Sequence, residues 1–255
     1  MVEFPVSSKR ALLKRAPFWL RLSLCLAVSG FALRSRLGAE EAPPKHLADA
    51  SALVARIDLR NTSYNHGEPW VNWESPESYA DCSGFMDELL KHSYGYTRDD
   101  LKKWFGSHRP TARRYHDAIA AGNGFEEIHE LSQALPGDII AIKYLKRTDN
   151  TGHVMIIAER PNMAAQQNAI APQFDQWQIP VIDSSMSGHG PADSRHAQGE
   201  NGKDHDGLGK GVLCIYTDGN KRVTGFSWSP AAKSQFRAPD DEHVVIGRLK
   251  TGFKP

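Results

Sequence analysis

Cysteine is scarce in this sequence, with three residues among 255. That is too few for a disulfide-stapled scaffold, so the chain must fold on a hydrophobic core. A charge bias is missing as well. Thirty-one Lys and Arg face 30 Asp and Glu, for a net +1. Nucleic acid is therefore not expected as a partner, since its binders carry a basic stripe. Long apolar runs are absent beyond the first 40 residues, and the mean hydropathy of −0.49 excludes a multi-span membrane protein. No internal repeat is visible. The length suits one domain with extensions and is enough to bury a core.

The apolar residues that do cluster lie at the start. Lys9, Arg10, Lys14 and Arg15 precede a stretch from Leu22 to Leu33, and small residues follow at Gly38 and Ala39. A basic region, an apolar region and a small-residue cleavage site make an export signal over residues 1–39. An uncleaved anchor is the alternative, though Leu22 to Leu33 is short for a span. The protein is thus expected outside the cytoplasm, in a periplasm or cell envelope. No other membrane contact is expected.

Residues 40–60 read as a linker and a leading helix, with Leu47, Leu53, Val54 and Ile57 at helical spacing. Asn61 to Tyr79 reads as a loop. A helix follows from Ser83 to about His92, with Phe85, Met86, Leu89 and Leu90 as its apolar stripe. Charged helical pieces near 97–122 read as an insertion. The second half changes character. Six runs rich in β-formers end in turn residues: Asp138–Leu145, His153–Ala158, Ile179–Ile182, Val212–Thr217, Val223–Trp228 and Val244–Leu249. Helices first and strands afterwards imply an α+β domain over 61–255 with an antiparallel sheet of about six strands. A polar loop near 187–211, rich in Gly, His and Asp, interrupts it.

Three places carry chemistry. Asp81-Cys82-Ser83-Gly84 opens a helix, with Asp81 as its N-cap. A thiol there meets free N–H groups and the positive end of the helix, which favour thiolate, and the Cys82 N–H is a candidate oxyanion donor. A buried structural cysteine is the alternative. So is a Cys82–Cys214 disulfide, which the setting of Cys214 in a strand-like run opposes. Gly152-His153 opens a strand and offers His153 as base, with Gly152 leaving room beside the imidazole. Asp183 ends the next strand and would fix the base's tautomer, with His189 as the competing orienter and a strand-end cap as the other use of Asp183. The His and Asp residues of the long loop are competent zinc or calcium ligands, yet no metal-binding spacing is present, so a solvated loop and no cofactor or metal are expected.

The order of these elements resembles the NlpC-type cell-wall peptidases of the papain-like cysteine hydrolase superfamily. Asp-Cys-Ser-Gly-Phe lies on a helix, Leu135-Pro136-Gly137-Asp138 stands before a strand, Gly-His-Val opens the next, and a polar residue ends the third. The resemblance implies a papain-like fold, with the cysteine helix packed on the sheet. It implies cleavage of peptide or amide bonds in peptidoglycan stems, and Tyr64, Asp81 and Ser83 as substrate-binding residues around the substrate's amino group. Asp183 stands where that family more often has His. A monomer acting on peptidoglycan or another peptide is expected. A non-catalytic binding module on the same fold, or a thiol acyltransferase, are the competing functions.

Overall fold

A computed structural model of the chain describes residues 42–166, 168–196 and 205–255. The export signal expected at residues 1–39 lies outside them. The leading helix, α1, spans Lys45–Val54 and buries His46, Leu47, Ala50 and Leu53, one face of a helix. It stops short of Leu59 because Asp58 caps a separate 3-10 turn, Leu59–Asn61. The segment read as a loop holds three short strands, β1 (Thr62–Ser63), β2 (Trp70–Asn72) and β3 (Glu77–Tyr79), paired in the order β1-β3-β2.

Helix α2 spans Cys82–Tyr94 and ends at Gly95, whose φ of 72° is the left-handed conformation that glycine adopts without a Cβ penalty. The insertion contains α3 (Arg98–Phe105) and α4 (Ala112–Ala120). Reciprocal bonds between Thr97 and Asp100 fix the start of α3.

The remaining strands are β4 (Phe125–Glu127), β5 (Ile139–Tyr144), β6 (Gly152–Ile157), β7 (Asn162–Met163), β8 (Asp175–Ser185), β9 (Gly207–Thr217), β10 (Val223–Ser227) and β11 (Glu242–Leu249). They form one sheet with the path β10-β9-β8-β6-β5-β11-β4, and β7 pairs with β8. Every pairing in it is antiparallel. The fold is therefore α+β. All six expected strands are present, and short β4 and β7 add to them.

Both faces of the sheet are covered, so β6 reads as a continuous apolar run with every residue buried. On one face Ile139, Ala141, Val154 and Ile156 meet Phe85, Met86 and Leu89 of α2. On the other, Ile140, Ile142, Met155 and Ile157 meet Val181, Leu213, Ile215 and Phe226. Because β10 returns against β11, the sheet curls around this second core.

Strands β8 and β9 are longer than their β-formers suggest, and pair from Asp175↔Thr217 to Ser185↔Gly207. Gly207, Gly209 and Gly211 hid the first half of β9, since glycine disfavours strands by propensity alone. The expected loop near 187–211 accordingly ends before Gly207. No helix among the described residues is long and apolar enough to cross a membrane.

Candidate active site

Asp81 caps α2 as expected, its Oδ1 accepting from the Gly84 N–H at 2.7 Å. This fixes Cys82 in the first turn, where backbone N–H groups have no acceptor within the helix. Cys82 is 5% exposed and unbridged, and Cys214 is also a free, buried thiol.

His153 arrives from the sheet. The register Ile156↔Ile182, continued along the two strands, sets Asp183 opposite Met155. Asp183 is then a diagonal neighbour of His153 on the same face. The contact is short, with His153 Nε2 2.6 Å from Asp183 Oδ2 and both side chains buried. Three surroundings act on the imidazole. Burial lowers its pKa, while the charge and hydrogen bond of Cys82 and the bond to Asp183 raise it more, holding it up to about 10. Because Nε2 faces Asp183, Nδ1 is the nitrogen left for the Cys82 sulfur. The structure thus brings Cys82, His153 and Asp183 together.

Gly152 has a different task from the one expected. Its φ of 143° lies outside the range of ordinary side-chain-bearing residues, and a Cβ there would collide with the Ile142 carbonyl oxygen. Close strand approach, rather than room for substrate, requires glycine here.

Asp183 is held from behind by residues of the loop that was expected to be solvated. Arg195 Nη2 donates to Asp183 Oδ1 at 2.9 Å, and His189 Nε2 lies 3.1 Å from Oδ2. Asp193 accepts from Arg195 through both oxygens, at 2.8 Å each, and from the His189 backbone N–H at 2.8 Å. His189, Asp193 and Arg195 are 1%, 4% and 0% exposed. Mutual pairing is what allows so much charge to be buried. The Asp183 carboxyl is held well below the usual carboxylate range: burial alone would raise it, but Arg195, His189 and the bond from His153 outweigh that. His189 is therefore not a rival to Asp183 but a second partner of it. Both its nitrogens face oxygens, Nδ1 donating to the Trp228 carbonyl at 2.7 Å.

Arg195 and Trp228 escaped the sequence reading, and Asp193 entered it only among the loop's possible metal ligands. A signal for Arg195 and Asp193 was present in Gly209-Lys210-Gly211. A Cβ on Gly209 would lie 2.6 Å from Arg195 Nε, and one on Gly211 would overlap Asp193. Trp228 sets its ring edge-on to His153, at 4.9 Å between centroids, and stacks on His189 at 4.4 Å. Among the described residues no group of three or more His, Cys, Asp and Glu is arranged to hold a metal ion.

The three residues assigned to substrate binding are placed unequally. Tyr64 stands beside Cys82. Its phenol is pushed to high pKa by burial first and then by the charges of Cys82 and Asp81, and it shares a hydrogen bond with Cys82. Asp81 is already committed. Besides the cap, its Oδ2 meets Arg109 Nη2 at 3.1 Å and His66 Nδ1 at 3.2 Å. The Ser83 hydroxyl donates to Asp81 Oδ1 at 3.2 Å. These two residues therefore hold the helix start, and Arg109 and His66 join them from neighbouring loops.

A cleft of about 620 Å³ adjoins this assembly. Trp228 forms one wall and Tyr144 another, with Arg147, Lys233, Arg237 and Glu242 around them. Deeper, Asp87 of α2 accepts from Tyr115 Oη at 2.6 Å while its Oδ2 has no partner. Burial raises its carboxyl well above the usual range.

No family model matches the chain, and no solved structure matches it. A curated protein does. The uncharacterized protein R653 of Acanthamoeba polyphaga mimivirus is 34% identical over 223 residues, covering 81% of this chain and 96% of that protein.

Proposed function

The chain belongs to the family of that mimivirus protein, and from the side chains gathered at its site we propose that it is a cysteine hydrolase with Cys82 as nucleophile and His153 as base. The observation that carries this reading is the buried line of Cys82, His153 and Asp183, with the His153–Asp183 contact at 2.6 Å. A thiol–imidazole pair oriented by a carboxylate is the general layout of an activated nucleophile. A module that only binds has no use for it.

In this reading the Cys82 sulfur attacks the carbonyl carbon of a peptide or amide bond. The oxyanion that forms is met by the first-turn N–H of Cys82. The His153 imidazolium gives its proton to the departing amine, and the C–N bond breaks to leave an acyl thioester. Water then attacks the thioester, with His153 taking its proton, and the thiol is restored. Asp183 keeps the Nε2–H of His153 in place and stabilises its charged form. Trp228 covers the ring.

The fold proposed is papain-like, of the NlpC type. A cysteine helix on an antiparallel sheet, followed by the histidine strand and then a strand with an acidic partner, supports it. The substrate proposed is the peptide stem of peptidoglycan, reached through the export signal in residues 1–39. The test is incubation of the purified chain and its Cys82→Ala variant with peptidoglycan and with a peptide-amide panel, reading products by mass spectrometry. Cleavage by the first and not the second is the result expected. Absence of thiol-dependent product from every substrate would overturn the reading.

A further inference from the structure

We propose that the cleft between Tyr144 and Trp228 binds an anionic group of the substrate, a carboxylate or a phosphate, through Arg147, Lys233 and Arg237. This rests on the reading of Cys82 as nucleophile and gives that site a substrate class.

The cleft lies beside the reacting groups: its wall residue Trp228 packs edge-on against His153 at 4.9 Å, and its wall residue Tyr144 feels the charge of Cys82. Its volume of about 620 Å³ fits a ligand of several residues' size. Its charge is one-sided. Three cations line it against the single carboxylate of Glu242, which is itself 3.9 Å from Arg237 Nη1. Asp81, beside Cys82, is paired with Arg109.

Two of the cations are uncommitted. Among the described residues, neither the Arg147 nor the Lys233 side chain makes a hydrogen bond or an ion pair. Arg147 instead lies over the Tyr144 ring, 5.1 Å from its centroid. That contact keeps the guanidinium beside the Tyr144 wall while leaving its N–H donors available for a two-point contact with an anion.

The test needs no knowledge of the natural substrate. Iodoacetate and iodoacetamide carry the same leaving group and differ in charge. Their alkylation rates at Cys82 are measured on the full chain at pH 6 to 8, with the label located by mass spectrometry. Wild type is compared with Arg147→Gln, Arg237→Gln and Arg147→Gln/Lys233→Gln; Arg147, Lys233 and Arg237 are exposed, so their replacement leaves the core intact. The ratio of the iodoacetate rate to the iodoacetamide rate should fall about threefold or more in the double variant, and in wild type at high salt. An unchanged ratio in both would overturn the anion site while leaving the nucleophile in place. Rates for both reagents no faster at pH 6 than those of a free thiol would overturn the nucleophile itself, and this inference with it.

Discussion

Arg195 donates to Asp183 at 2.9 Å with neither side chain exposed, and the other oxygen of that carboxylate meets His153 at 2.6 Å and His189 at 3.1 Å. The arginine therefore acts on the imidazole through one intervening group. It fixes the carboxylate as an anion and directs its second oxygen at the ring. Asp193 balances the extra positive charge. Such an arrangement costs desolvation, which the paired geometry offsets only while every member is present.

Removing one member should thus expose the rest. Asp183→Asn keeps an oxygen for the His153 N–H but leaves Arg195 with one carboxylate instead of two. A loss of about 3 kcal/mol in unfolding stability is expected, together with slow turnover. Chemical denaturation and steady-state kinetics measure the two effects. Stability and turnover both at wild-type level would show that Asp183 is only a strand-end residue.

Cys82→Ala should abolish turnover while the chain stays folded, at a cost of about 1 kcal/mol for the lost sulfur. Cys214→Ser is the control. The Cys214 thiol is pushed up to about 11 by burial, and it faces Ser227, which can partner a hydroxyl. Its replacement should leave activity intact. Full activity in Cys82→Ala would exclude a thiol mechanism.

The imidazole of His153, held up to about 10, stays positive across the neutral range when it faces the sulfur charge and Asp183. In His153→Ala that charge is gone, so the rise of alkylation rate at Cys82 should move to higher pH. Rate profiles with iodoacetamide from pH 5 to 10 measure it. Superimposable profiles would show the two groups to be uncoupled.

Asp87 offers a test of stability against pH. Its folded carboxyl titrates well above the ordinary 3.8, so the folded state binds a proton that the unfolded chain gives up. Stability from this residue is then greatest below pH 3.8 and falls as pH rises toward the folded value. Asp87→Asn keeps an acceptor for Tyr115 and has no such loss. Its melting temperature should gain on wild type between pH 4 and pH 7, by about 3 °C or more. A constant difference across that range would refute the shift.

Gly211→Ala places a methyl group where Asp193 lies, and Gly209→Ala places one against Arg195. Each should destabilise by about 2 kcal/mol or more through displacement of the buried charges. Thermal melts measure this. A neutral result at both positions would mean that the loop does not press on β9 in solution.

The sequence alone determined what short-range physics controls. Asp81 ahead of Cys82 set a helix start, because a carboxylate satisfies free N–H groups locally. The alternation Val154, Met155, Ile156, Ile157 set a strand buried on both faces. Turn residues bounded the six runs that became β5, β6, β8, β9, β10 and β11, and so the α+β class followed. Tertiary structure decided what depends on distant partners. Polarity by itself reads as solvent exposure, so His189, Asp193 and Arg195 look like a wet loop until Asp183 is seen to be buried beside them. Glycines by themselves read as a break, so β9 appears to start late until those charges are seen to need the space. Asp183 was legible as a candidate partner of His153, but its contact with the ring came from the β6–β8 register. That register is set by which apolar residues share a core, and no local pattern contains it.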